Sequence, residues 1–336
     1  MANTNAVFSL LFTLTSFSIL LLLLPHCIDA HSLEVCMFDA IYQLGDSISD
    51  TGNFIHEDPA SPFARLPYGE TFFNNATGRC SNGLLMIDYF ALAAGVPFLP
   101  PYLDQDALVF SGHGQNFAVA CSTTLPTENI SVVATNSSLN VQLDWMSTYF
   151  NGICLNAEGQ KPVPEVVKAI KDAVTTVIGY GFTRVVVPGN FPIGCLPIYL
   201  TALQTNNSAA YDEFHCLKGL NDFTIYYNDQ LKQALEGLRK ENPKVAVAYG
   251  DYYNAFQSVY RNALLLGFDI ESLQKACCGA GGDYDFTLTK RCGDPDVPVC
   301  PNPDKRIIWD GIHLTQQAYK YISDWLIRDI LPNLHC

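Results

Sequence analysis

Residues 38–53 read FDAIYQLGDSISDTGN, from Phe38 to Asn53. The run from Phe38 to Leu44 is short and apolar and passes straight into Gly45-Asp46-Ser47, the pattern of a buried strand that ends in a loop. Ser47 therefore sits just past a strand's carboxyl end, where open α/β sheets hold their reactive side chains. That makes it a candidate nucleophile. Gly-Asp-Ser is also ordinary turn composition, so the serine needs a base elsewhere in the chain before it can be assigned chemistry.

Working outward, Asn116 to Ala120 is a second strand candidate. Between Glu165 and Tyr180, apolar residues recur at Val166, Val167, Ile170, Ala173, Val174, Val177 and Ile178, the spacing of an amphipathic helix that Gly179 and Gly181 can end. Arg184 to Val187 is β-branched and bounded by Pro188 and Gly189, so it reads as another buried strand. Leu220, Phe223, Tyr227, Leu231, Ala234, Leu235 and Leu238 mark a longer helix closed by Asn242-Pro243, and Val245 to Ala248 follows as a strand. A last helix starts with Thr315 as its N-cap and runs through Trp325 and Ile327. Helices alternating with short hydrophobic strands predict an α/β layered fold with a mostly parallel sheet. The aromatic cluster Tyr249, Tyr252, Tyr253, Phe256 and Tyr260 reads as packing.

The base that Ser47 needs is supplied near the other end of the chain. The stretch WDGIHLT holds Asp310 and His313 in a loop before the final helix. With two residues between them, a turn lets the carboxylate meet one imidazole nitrogen while the other faces a serine. Ser47, His313 and Asp310 then form a nucleophile, a base and an orienting acid. Such a set removes the serine proton, attacks an ester carbonyl and returns the proton to the leaving alcohol.

Composition sets the surroundings. The chain has 336 residues, 49% of them apolar, with 33 acidic and 19 basic side chains and a formal charge of −14. That balance repels a phosphate backbone, so nucleic-acid binding is excluded, and a mean hydropathy of +0.11 argues against disorder. The uncharged, Leu-rich run from Phe8 to Leu24, followed by Pro25 and Ala30, reads as a secretory signal over residues 1–30, with residues 31–336 as a single domain and no stable membrane insertion after cleavage. Loss of Cys27 with the signal leaves 11 of the 12 cysteines, an odd number, in an oxidising compartment where disulfides form. Cys277, Cys278, Cys292 and Cys300 crowd one Gly- and Pro-rich stretch and read as a stapled loop. No Cys-x-x-Cys pair or His cluster has metal-site spacing, and His113 and His215 have no ligand-spaced partner. Sequons at Asn75, Asn129, Asn136 and Asn206 fit a secreted glycoprotein.

The stretches IYQLGDSISDTGN, PYGETFF, GRCSNGLLMIDYFA, GQNFAVA, VVVPGNFPIGCLPIYLT, AYGDYYNAF and VPVCPNPDKRIIWDGIHLTQQAY together resemble the plant GDSL esterase/lipase family within the SGNH hydrolases. Within that family the sequence is most similar to the acetylajmalan esterase-like group, an O-deacetylase branch that acts on indole alkaloids. The resemblance implies a three-layer α/β/α sandwich, a Ser47 nucleophile with the Asp310/His313 pair, and no cofactor. It also implies a small-molecule ester substrate, and secretion to the apoplast or delivery to the vacuole.

Two departures from the family pattern bear on catalysis. In these hydrolases the oxyanion is held by the serine N–H, by the N–H of a glycine in a second motif, and by an asparagine side chain in a Gly-x-Asn-Asp motif. Here the second motif reads NFAVACSTT, so Cys121 replaces the glycine; the backbone donors that remain are those of Ser47 and Cys121, and a positive φ at Cys121 would be strained. The Gly-x-Asn-Asp motif and the strand before it are absent, since YFNGICLNAEGQKPVPEVV runs directly into a helix. Asn190, Asn53 and Asn116 are the conceivable substitutes for the lost donor. The lost strand belongs beside the first one, so either Ile130 to Ala134 fills its place or the sheet is partly broken. The competing functions are a serine ester hydrolase, an acyltransferase using the same acyl-enzyme, and a noncatalytic relative that binds ligand in the old cleft.

Overall fold

A computed structural model of the chain describes residues 33–104, 113–127, 134–149 and 162–336. The signal segment 1–30, Asn129, Cys154 and all of the Ile130–Ala134 segment except Ala134 lie outside these residues. In chain order the principal elements are β1 (Ile41–Gln43), α1 (Asn53–Glu57), α2 (Met86–Ala94), β2 (Gly114–Asn116), α3 (Leu139–Tyr149) and α4 (Pro162–Gly179), then β3 (Arg184–Pro188), α5 (Pro197–Ala202), α6 (Lys218–Glu241), β4 (Ala246–Gly250), α7 (Tyr252–Arg261) and α8 (Gln316–Ile330).

The fold is α/β, and its strand pairs are parallel. Ile41 lies opposite Gly114 and Gln43 opposite Asn116, while Arg184 lies opposite Ala246 and Pro188 opposite Gly250. Parallel strands need helices on both faces, and β3 and β4 have them. On one face Val187 and Val247 pack with Val167 and Val174 of α4 and with Leu231, Leu235 and Leu238 of α6. On the other, Ala248 joins a cluster built from Ala91 of α2, Phe256 of α7 and Ile322 and Leu326 of α8. Local signals set the helix ends: Asn242 closes α6, Gly181 at φ 98° follows α4, and the Thr315 hydroxyl caps α8 by accepting from the Ala318 N–H at 3.2 Å. The aromatic residues at 249–260 do pack: Phe256 and Tyr260 are buried, and Tyr252 stacks on Phe191 at 4.9 Å.

Among the described residues the sheet is interrupted beside β1. Among the described residues it forms two separate pairs, β1 with β2 and β3 with β4, with no ladder between β1 and β3. Side chains bridge the interval instead. Tyr42 of β1 meets Tyr149 of α3 edge-on at 5.9 Å and Phe182, just before β3, at 5.4 Å. Phe117, Met146 and Val177 are buried beneath them, with Val185 packed alongside. The interruption leaves its mark on burial: every residue of β1 is only half-buried, and Val186 in the middle of β3 is 39% exposed.

Among the described residues four disulfides tie the loops. Cys277–Cys300 and Cys278–Cys292 staple one loop twice, Cys195–Cys216 closes another, and Cys36–Cys336 joins the two ends of the described chain. Cys80 and Cys121 carry no bridge. Among the described residues no helix is long and apolar enough to cross a membrane.

Candidate active site

The acidic half of the site is a short hairpin turn braced by the stapled loop. Cys277 and Cys278 donate their N–H groups to the carbonyls of Ile308 and Trp309 at 3.0 and 2.6 Å, and the Trp309 N–H donates to the His313 carbonyl at 2.8 Å. Asp310 and His313 are thus held at the tip of the turn, both buried. Asp310 Oδ1 accepts from the N–H groups of Ile312 and His313, each at 2.8 Å. Its Oδ2 accepts from His313 Nδ1 and from the Tyr68 hydroxyl, also at 2.8 Å. Burial alone would push this carboxyl up, but the imidazole beside it and the converging donors outweigh burial and hold it down at about 2. Burial and the Asp310 charge push the Tyr68 phenol up, so it stays protonated and donates to the carboxylate.

That arrangement fixes the histidine tautomer. With Asp310 ionised, Nδ1 carries the proton and Nε2 keeps its lone pair. Nε2 lies 2.9 Å from Ser47 Oγ, so the serine hydroxyl donates to it. The structure brings Ser47, His313 and Asp310 into one hydrogen-bonded chain. Such a chain can accept the serine proton on the imidazole and stabilise the imidazolium against the buried carboxylate.

Ser47 itself rides on a loop locked to the segment after β2. Gly45, at φ 151°, turns the chain where a Cβ would lie 2.6 Å from Ser49 Oγ. Its carbonyl accepts from the Val119 N–H at 3.1 Å. Asp50, fully buried, accepts from the N–H groups of Gly52, Asn53 and Phe54 and, across the loops, from Ala120 at 2.7 Å. Cys121 follows at φ 64°, the left-handed conformation that glycine would take without strain. Among the described residues, neither the Ser47 N–H nor the Cys121 N–H has an acceptor within the fold. They are the two backbone groups that the sequence suggests for an oxyanion hole.

The asparagines considered as substitutes for the missing donor are placed differently. Asn53 Nδ2 donates to the carbonyls of Asn116 and Ala118, and Asn116 Nδ2 donates to Ser49, so both buried amides are spent inside the fold. Asn190 is exposed beyond β3, its backbone gripped on both sides by the Asn228 amide. Three contributors escaped the sequence reading: Tyr68, which supports Asp310; Asp50, which joins the two loops; and Gln142, whose side chain bonds to Gly45 from 97 residues away. Each makes its decisive bond across a long sequence separation, although Asp50 also accepts from Gly52, Asn53 and Phe54 close by. Asn75, Asn136 and Asn206 are exposed, as glycan acceptors must be.

An α/β layered fold with a serine at a strand's carboxyl end, bonded to a histidine–aspartate pair, is that of a carboxylic ester hydrolase. The chain belongs to the GDSL-like lipase/acylhydrolase family, whose model matches residues 41–326. It is similar to acetylajmalan esterase 1 of Rauvolfia serpentina, 40% identical over 342 residues that cover 90% of this chain and 89% of that one. Acetylajmalan esterase 2 of the same plant is also 40% identical, covering 91% and 94%. A GDSL esterase/lipase of Arabidopsis thaliana is 37% identical over 88% of each chain. The first match spans 342 residues although it takes in 90% of a chain of 336, so the relative carries residues with no counterpart here.

Proposed function

We propose that this protein is a secreted serine carboxylesterase that removes a small acyl group, acetyl first among the candidates, from a plant specialised metabolite such as an indole alkaloid. Ser47 attacks the ester carbonyl as His313 takes its proton. The imidazolium, stabilised by Asp310, returns the proton to the departing alcohol, and a water activated by the same histidine releases the acid. The N–H groups of Ser47 and Cys121 receive the oxyanion. Residues 1–30 are removed as a signal, residues 31–336 fold as one domain, and the sequons are glycosylated on the way to the apoplast or vacuole. The four disulfides support that route, and the names of the Rauvolfia relatives support the substrate class.

The observation that carries the reading is the unbroken chain from Ser47 Oγ through His313 to Asp310. Magnitudes keep the enzyme functional without the third donor. One oxyanion donor is worth about 10²–10³ in rate, whereas esterase-type catalysis spans at least ~10⁶. Ser47→Ala should abolish turnover of p-nitrophenyl acetate, and unchanged turnover sinks the assignment. A noncatalytic, ligand-binding role is the reading that the interrupted sheet favours. A fluorophosphonate probe separates the two: stoichiometric labelling at Ser47 identifies a live nucleophile, and no labelling of folded protein supports the binder. Supplying a competing alcohol and looking for a new ester distinguishes hydrolysis from acyl transfer.

A further inference from the structure

Gln142, on α3, is fully buried and spends its whole amide on the two loops of the site. Its Oε1 accepts from the Gly45 N–H at 2.8 Å, and its Nε2 donates to the Gly45 carbonyl at 2.8 Å, a two-way grip on one peptide residue. The same Nε2 reaches the Ser122 hydroxyl at 2.8 Å and the Ser137 carbonyl at 3.1 Å. Ser122 Oγ in turn donates to the Gly45 carbonyl at 3.3 Å. Gly45 lies two residues before Ser47, and Ser122 directly follows Cys121. Cys121 is therefore bracketed, by Ala120 bonded to Asp50 on one side and by Ser122 bonded to Gln142 on the other.

We infer that Gln142 is a positioning residue for ester hydrolysis, holding the Ser47 loop and the Cys121 loop at the separation that lets their two backbone N–H groups converge on one oxyanion. This rests on the reading of Ser47 as nucleophile. With no Gly-x-Asn-Asp asparagine in the sequence, the hole consists of those two donors, so an error in their spacing is not shared with a third. The Gly45 grip also explains why a glutamine is required: it must give a hydrogen to a carbonyl and take one from an N–H at the same backbone site.

Gln142→Ala should lower kcat for p-nitrophenyl acetate by about 10- to 100-fold with KM nearly unchanged, because the loops shift where charge develops in the transition state and not where the ester docks. Gln142→Glu supplies a readout that a general packing role would not move. A protonated glutamic acid reproduces both halves of the grip, O–H to the Gly45 carbonyl and C=O to its N–H, whereas the carboxylate faces the Gly45 and Ser137 carbonyls and repels them. Asp46 and Asp50, both of which raise the neighbouring Cys121 thiol, add like charge, and burial pushes the new carboxyl up as well. The Gln142→Glu enzyme should therefore gain a falling alkaline limb in its kcat–pH profile while circular dichroism shows it folded throughout. That limb supports the inference even if Gln142→Ala fails to fold. A Gln142→Glu profile parallel to the unmodified enzyme overturns it, as does a folded Gln142→Ala protein with unchanged kcat. Fluorophosphonate labelling of the unmodified chain keeps the two levels apart: labelling at Ser47 with inert Gln142 variants rejects this inference alone, and absence of labelling rejects the nucleophile assignment beneath it.

Discussion

On one side of Ser47 lies the Asp310–His313 turn, and on the other the interval between β1 and β3. The turn is held by four hydrogen bonds to one carboxylate, by backbone bonds from Cys277 and Cys278, and by two disulfides. The interval has no ladder among the described residues, and aromatic rings of Tyr42, Tyr149 and Phe182 span it. A turn built from short-range bonds and covalent staples survives the loss of a neighbouring strand. A donor carried on that strand does not. On the mechanism proposed for Ser47, the protein therefore keeps the parts that move a proton and lacks one of the parts that stabilise charge.

The largest effect should come from breaking the intact side. Asp310→Asn leaves the shape of the turn in place but removes the charge that selects the histidine tautomer, and kcat should fall about 10⁴-fold. A fall of less than tenfold would show that the turn is structural. The same variant has a pH signature. Asp310 is held at about 2, below the ordinary carboxylate value, so its contribution to folding is complete above about pH 4 and is lost as the pH falls toward 2. Acid unfolding followed by fluorescence should show about 2 kcal/mol more loss of stability over that range in the unmodified chain than in Asp310→Asn.

The next largest effect should come from repairing the damaged side. Inserting a relative's strand and Gly-x-Asn-Asp segment between Cys154 and Pro162 should raise kcat by about 10²–10³, the worth of one oxyanion donor. A folded graft with unchanged kcat would mean that the two backbone donors already suffice.

Third comes the joint between the sides. Asp50 Oδ1 takes the N–H groups of Gly52 and Asn53, and Oδ2 those of Phe54 and Ala120. An amide at position 50 must point its NH₂ at two of these donors, leaving them buried and unsatisfied. Asp50→Asn should destabilise the protein by about 2–3 kcal/mol in chemical denaturation, whatever it does to the rate.

How much of this was legible in the sequence follows from how far each signal reaches. The first strand, the Ser47 loop, the Thr315 cap and the stapled cysteines announce themselves within a few residues, because strands, turns and caps obey local rules. The strands depart from their apolar runs: β1 is Ile41–Gln43 within Phe38–Leu44, and β2 is Gly114–Asn116, which shares only Asn116 with the expected Asn116 to Ala120, whose other residues continue as buried loop. Beyond the paired residues, the Phe117 and Val119 N–H groups still donate to the Gln43 and Gly45 carbonyls at 2.7 and 3.1 Å. The absence of the Gly-x-Asn-Asp segment was also visible, but the sequence leaves open whether Ile130 to Ala134 fills the strand's place or the sheet is broken, and all of that segment but Ala134 lies outside the described residues. The roles of Tyr68, Asp50 and Gln142 were not visible, because each depends on a distant partner that only the fold brings near: Asp310, Ala120 and Gly45. The helix α7 hid within what reads as an aromatic cluster, since two of its buried positions, Phe256 and Tyr260, are aromatic and mask the helical spacing they share with Ala255 and Val259.

The smallest effect tests whether Cys121 contributes to the deficit. Its left-handed φ of 64° costs a residue with a Cβ about 1–2 kcal/mol. Glycine removes that strain but loses more chain entropy on folding, about 0.4–1 kcal/mol. The side chain is exposed, so little buried area is forfeited. Cys121→Gly should accordingly be more stable by roughly 0.5–1 kcal/mol, a rise of a few degrees at most in Tm. Its kcat should change by less than about tenfold, because the substitution leaves the backbone N–H in place and adds no donor. A hundredfold gain in kcat would reverse the roles of the two sides of Ser47. It would locate the defect in the sulfur crowding the oxyanion and not in the missing strand, and the segment graft would then add little to the Cys121→Gly enzyme.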